Sequence, residues 1–355
     1  MANKVTMQQI ADYLNVSKFA VSKALSGKPG VSAETREKIV SVATQLGYFA
    51  GQKLKAPSSS LSGDKSSERQ TRDTVILLVP NVRYQTRDSF FWGKILDGIT
   101  MELEEREIGT MMITEQFKNH FSQFINPSSI RGIIGVGQIT SQMLLEIRSL
   151  GIPFVLVDHE DPLIPSDTLF MNNMECMRRV TNYLIGCGHR KLQFVGNTHY
   201  SRSFLDRFLG YCSMLEEHGL MQEQESALLT FEGNNRSEMT EALELIVKKM
   251  VQEAALPTAF ICANDSIAIC IMTVLAKLNV AVPGKCSVVG FDNIEDAAWS
   301  KPTLSTVDVQ KEAFGRRAVE MLLRRLEHPS SPQEKILLSG DFVMRESTAS
   351  SMTQA

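Results

Sequence analysis

The sequence predicts an all-α helix-turn-helix head at its amino terminus and an α/β body of two doubly wound parallel-sheet lobes. Three observations predict this. Residues 1–50 carry helix-start signals and helical apolar spacing. Residues 51–73 shift to Gly, Ser, Lys, Gln and Asp, the composition of a tether. From Val75 on, short continuous apolar runs alternate with amphipathic stretches, as in parallel sheets covered by helices on both faces.

In the head, Thr6 and Gln9 form a capping box, and Ile10, Ala11 and Leu14 then share one helical face. Asn15-Val16 makes a turn in which Val16 plugs the gap between helices, and Ser17 caps the second helix. Val21, Ala24 and Leu25 point inward; Lys18, Phe19, Ala20, Ser22 and Lys23 are left facing out. Ser32 caps a third helix whose Ile39, Val40, Ala43 and Leu46 close the core, and Gly47 suits its end. This motif lays its second helix in the DNA major groove. A three-helix bundle with no DNA role would share the same core, so charge must separate the two. Residues 1–60 hold eight Lys/Arg against three acids, whereas the remainder carries a net charge of −8. A basic head on an acidic body suits contact with phosphates through the head alone.

The chain has 355 residues, enough for two or three lobes, with 43% hydrophobic and 22% charged residues, ordinary for a globular protein. It has neither an apolar run of membrane-span length nor a secretion-signal pattern, so a cytoplasmic location without membrane contact is expected. The six cysteines are scattered without C-x-x-C, as free thiols are.

The body begins with strand Val75–Val79, helix 91–106 and strands 110–113, 132–136 and 153–157. A second set follows: helix 177–185, strand 191–195, helix 207–218, strand 259–263, helix 266–278 and strand 287–291. Two such sets give two lobes with a cleft at the strands' carboxyl ends. Gly132–Gly137 lacks the spacing and following acid of a dinucleotide loop, and no phosphate-loop motif occurs, so no cofactor is expected. Asp158-His159-Glu160-Asp161 is too compact for all its side chains to converge on one metal. With no nucleophile elbow or acid/base pair, an enzyme is not expected.

Head and body together resemble the lactose-repressor (LacI/GalR) family of bacterial regulators. The head matches in Val5-Thr6, Ile10-Ala11, Val16-Ser17, Val21-Ser22, Val31-Ser32, Thr35-Arg36 and Leu46-Gly47-Tyr48. The body matches in Ile152-Pro153, Gly188-His189-Arg190, Arg207–Gly210, Ala263-Asn264-Asp265, Val282-Pro283, Val288–Asp292 and Pro302–Val307. The resemblance implies a homodimer on a near-palindromic operator. It also implies a body like the periplasmic sugar-binding proteins, which senses a small metabolite, often a sugar. The chain would then divide into head 1–50, linker and degenerate hinge 51–73, effector and dimerisation domain 74–348 and a flexible tail 349–355. The lobes would split near 166 and 303, with about 303–327 returning to the first and the C-terminal strands belonging to the second.

Two departures stand out. The family's Thr-Val-Ser-Arg is Ala20-Val21-Ser22-Lys23 here, and Lys offers a point charge where Arg offers a fork. The family's hinge helix, whose Leu wedges into the minor groove, is replaced by a serine-rich stretch in which Leu54 is the candidate wedge.

The expected DNA contacts are Thr6, Ser17, Lys18, Phe19, Ala20, Ser22, Lys23, Lys28, Val31, Ser32 and Leu54. By resemblance, Asp265 accepts ligand hydrogen bonds, caps the helix at Ser266, or does both; Arg207 grips the ligand, or else bridges the lobes. Phe91 stacks on the ligand ring or staples the core, and Trp299 stacks on a sugar face or covers the hinge. Asn173 and Asp292 complete the candidate set, which suits a polyhydroxylated or an anionic ligand. Two rival functions stay open: a small-molecule receptor whose head makes only protein contacts, and a sugar-processing enzyme.

Overall fold

The computed structural model describes residues 6–14, 16–25, 74–80, 91–114, 125–221, 223–233 and 235–351, with Thr35, Ile39 and Val42. In the head, α1 spans Met7–Leu14 and α2 spans Lys18–Leu25. The turn between them closes where the Val16 amide donates to the Ala11 carbonyl at 3.0 Å. Ser17 caps α2 by accepting from the Ala20 amide at 3.1 Å. Ile10, Ala11, Val21, Ile39 and Val42 form the core, with Met7, Leu14 and Val16 packed on it. Val42 joins Ile39 at i+3 spacing, a core position that the sequence reading had not named. The side chains of Ala24, Leu25, Val40, Ala43 and Leu46 lie outside the described residues.

The body is one compact unit over Arg72–Phe117 and Ile130–Ala355. Its first lobe opens with β1 (Thr74–Leu78), α3 (Trp92–Glu105), β2 (Gly109–Ile113), β3 (Ile130–Val136), α4 (Ser141–Ser149), β4 (Phe154–Val157) and β5 (Asp167–Met171). The second holds α5 (Asn173–Gly186), β6 (Leu192–Val195), α6 (Arg202–Glu217), α7 (Arg236–Gln252), β7 (Ala259–Cys262), α8 (Asp265–Lys277), β8 (Ser287–Val289) and α9 (Glu295–Trp299). The chain ends with β9 (Thr306–Asp308), α10 (Lys311–Glu327), β10 (Lys335–Leu338) and β11 (Asp341–Val343).

The first sheet runs β10-β5-β4-β3-β1-β2, and every pairing is parallel. The second runs β6-β7-β8, also parallel, and β9 pairs with β11 antiparallel. All five residues of β5 and all four of β6 and β7 are buried, as strands covered on both faces must be.

These pairings place the three crossings between lobes. The first is at Met171–Asn173, past the expected 166, because β5 pairs with β4 and with β10. The second is near Val309–Lys311 rather than 303, because Asp308 still bridges to Asp292 of the second lobe. The third lies between β10 and β11, so the first lobe takes back 311–338 instead of 303–327. Periodicity does not reveal which sheet a four-residue strand will join; only its partners do.

Helix α10 packs on α3 through paired glycines. A Cβ at Gly98 would lie 2.2 Å from the Glu312 carbonyl oxygen, and one at Gly315 would lie 2.2 Å from that of Ile95. The expected tail is tied down at its start: the Ala349 amide donates to Ser287 Oγ at 3.2 Å and the Ser351 amide to the Cys187 carbonyl at 3.0 Å.

Candidate functional site

Strands β4, β7 and β8 deliver Asp158, Ala263 and Phe291-Asp292 at their carboxyl ends, where open α/β sheets gather ligands. Helix α6 supplies the opposing cation. Ser201 caps it by accepting from the Phe204 amide at 3.2 Å, and Ser203, Phe204 and Arg207 then share one face.

Arg207 is 4% exposed. Its Nε donates to Asn173 Oδ1 at 2.8 Å, Nη1 to the Ala263 carbonyl at 2.5 Å and Nη2 to Asp292 Oδ1 at 3.3 Å. Its guanidinium carbon lies 3.7 Å from the ring centre of Phe291 and 5.7 Å from that of Phe204. Asn173 in turn donates to Ser203 Oγ at 3.0 Å, and Ser203 donates to Asp158. One chain of hydrogen bonds thus links Asp158 of the first lobe to Asp292 of the second.

Burial pushes the Asp158 carboxyl up to about 6, against the lowering effects of Ser203 and Arg207. Burial also raises Asp292, opposed by Arg207 and Lys311. Lys311, itself buried, is lowered and donates to the Asn293 carbonyl at 3.1 Å. An arginine held flat by aromatics beside carboxylates and amides is a constellation that recognises hydroxyl groups by paired donors and acceptors.

Asp265 lies deeper in the second lobe, fully buried. It accepts from Thr306 Oγ1 at 2.6 Å and from the Ile294 amide at 2.9 Å, so both of its oxygens are engaged. Burial first, and then the charge of Asp292, push it up to about 8. The cap of α8 falls to its neighbour: Asn264 Oδ1 accepts from the Ile267 amide at 3.0 Å.

Phe91 stands half-buried at the start of α3, edge-on to Trp92 at 4.8 Å. Trp299, at the end of the one-turn α9, is 82% exposed and does not enter the buried cluster. The structure therefore brings together Arg207, Asn173 and Asp292, sets Asp265 beneath them, and leaves Trp299 outside.

The acidic run after β4 diverges. Asp158 meets Ser203, Glu160 pairs with Arg202 and Lys335, and Asp161 accepts from Ser141 and from the amides of Leu163 and Ile164. Two of these contacts clasp the start of α6, and Gln138 Nε2 adds a third by donating to the Tyr200 carbonyl at 2.6 Å. The sequence reading missed Asp158, Ser203, Phe204 and Phe291 as members of the site. The available signals were an aspartate closing an apolar strand and two residues at i−4 and i−3 from Arg207.

In the head, Thr6, Ser17, Lys18 and Phe19 are exposed, and Ala20, Ser22 and Lys23 are half-buried. Lys28, Val31, Ser32 and Leu54 lie outside the described residues. No described helix is long and apolar enough to cross a membrane.

Comparison with known proteins agrees with this layout. Residues 6–50 match the family described as bacterial regulatory proteins, lacI family, and residues 181–348 match the periplasmic binding protein-like domain. The probable HTH-type transcriptional repressor ExuR of Bacillus subtilis is 27% identical over 345 residues, covering 97% of this chain and 98% of its own. The ribose operon repressor of Haemophilus influenzae is 24% identical over 354 residues, covering 96% and 98%. Among solved structures, the CelR–cellobiose complex superposes with a TM-score of 0.67 at 20% identity, covering 97% of this chain and 99% of that one. The lac repressor dimer bound to operator and an anti-inducer gives 0.65 at 19%, covering 98% and 100%.

Proposed function

We propose that this chain, a member of the lacI family of bacterial regulatory proteins, is a cytoplasmic transcriptional repressor that binds a near-palindromic operator as a homodimer and is switched by a small effector between its lobes. The relatives are named as repressors, and none of those compared is an enzyme. Two of the proteins compared are named for ribose or seen with cellobiose, which supports a carbohydrate effector here.

The observation that carries the effector reading is the Arg207 network. A guanidinium stacked on Phe291 and hydrogen-bonded to Asn173 and Asp292 sits at the strand ends, with Asp158 reaching it from the other lobe through Ser203. A ligand that bridges Asp158 and Asp292 stabilises one arrangement of the lobes over another, and only such differential contact can shift an equilibrium. The lobe arrangement then sets the spacing of the two heads.

Two measurements test this. A gel-shift salt series with the full chain is expected to show operator binding that weakens steeply with salt. A head that made only protein contacts would give no shift even at low salt. A thermal-shift screen against sugars, sugar acids, sugar phosphates and nucleobases is expected to raise the melting temperature for one class, and Arg207→Ala is expected to remove that rise.

A further inference from the structure

Among the described residues of the head, one large apolar side chain, Phe19, stands exposed. Phe19 exposes 71% of its surface and is not among the described core residues Ile10, Ala11, Val21, Ile39 and Val42. Lys23 lies one turn on, and its ammonium sits 4.9 Å from the ring centre. The i, i+4 spacing brings the two side chains together, with the cation over the face of the ring. Lys18 stands exposed beside it, so two cations flank the ring, in a segment whose sequence carries a surplus of positive charge that suits a polyanion.

On duplex DNA a phenyl ring has few favourable partners. It neither donates nor accepts, so placing it over guanine O6 or N7, or over the amino group of cytosine or adenine, dehydrates a polar group with no return. The one apolar group on the floor of the major groove is the C5-methyl of thymine. We infer that Phe19 reads a thymine methyl in each operator half-site, with Lys23 holding the ring over it. This rests on the operator reading above and adds a base identity to it.

The test starts from a randomised duplex pool enriched on the full-length protein, which yields the half-site. Each thymine of the enriched duplex is then replaced singly by deoxyuridine, which removes only the methyl, and affinity is read by anisotropy at fixed salt. One thymine per half-site is expected to lose about four-fold on replacement, the worth of one buried methyl group. In Phe19→Ala the thymine and deoxyuridine duplexes are expected to bind alike, and Phe19→Leu is expected to keep part of the discrimination. The ring's exposure means that neither variant removes a core contact, and a melting curve on each checks this. The inference is overturned if no single replacement weakens binding, or if the penalty persists in full in Phe19→Ala. An unenriched pool is a separate failure that removes the operator reading and this inference with it.

Discussion

Arg207 and Asp292 show how far a single residue is committed by its surroundings. Both are nearly sealed from water, so each charge depends on the other. Removing Arg207 leaves only Lys311 to offset the buried charge of Asp292, and breaking a buried pair in this way costs up to roughly 3–5 kcal/mol. Arg207→Ala is therefore expected to destabilise the body and to abolish the effector-induced rise in melting temperature. Arg207→Lys, which keeps the charge but loses the fork, is expected to recover stability in part and effector binding hardly at all; calorimetry on the two variants separates these effects. Asp265 makes a prediction about pH. Its carboxyl is held at about 8, far above its ordinary 3.8, so the folded body keeps a proton that the unfolded chain has lost. Stability from this group is full in acid and drains away as pH rises toward 8. Asp265→Asn cannot titrate and keeps one of two acceptors. Its deficit relative to the parent, on the order of 1–3 kcal/mol for an unmet bond, is expected to be largest near pH 4 and to shrink steadily as pH rises to 8. Melting curves across that range check it.

Among the elements, α2 and the α3–α10 pair respond to different physics. The α2 cap is one hydroxyl, so Ser17→Ala is expected to cost the head about 1 kcal/mol without moving the body's transition. The α3–α10 crossing depends on the absence of two side chains. Gly315→Ala would press a methyl to 2.2 Å from a backbone oxygen that no rotamer change can clear. The body is expected to lose about 1–3 kcal/mol, the usual cost of overpacking, visible as a lower denaturation midpoint. Most of the strands could be read directly, because runs such as Val75–Val79 and Ala259–Ala263 are apolar throughout. Strand β10 was not legible: Lys335–Leu338 alternates exposed and half-buried at a sheet edge and has no continuous apolar run. Helices α4, α7, α9 and α10 are likewise absent from the elements read from sequence, α10 for an average made polar by Arg316, Arg317, Arg324 and Arg325. Its apolar stripe of Phe314, Ala318, Val319 and Leu322 is nevertheless regular.

For the whole molecule, the clasp of Gln138, Asp158 and Glu160 on the first turn of α6 joins two lobes that are distant in sequence. Ser203→Ala removes the central contact while leaving the Arg207–Asp292 pair in place. It is expected to weaken effector affinity about three- to ten-fold, the worth of one hydrogen bond, with operator affinity in the absence of effector shifted less. Titration calorimetry and gel shift on the same preparation read the two quantities. The sequence by itself determined the head and the alternating strands and helices of the body, because apolar periodicity, caps and charge segregation act over a few neighbouring residues; the candidate cleft residues followed from resemblance to a family. Only the tertiary structure decided that Asn264, and not Asp265, caps α8, that β10 returns to the first sheet, and that Asp158 reaches Ser203. Each of those turns on pairing, burial and dehydration among residues distant in the chain, which local pattern does not encode.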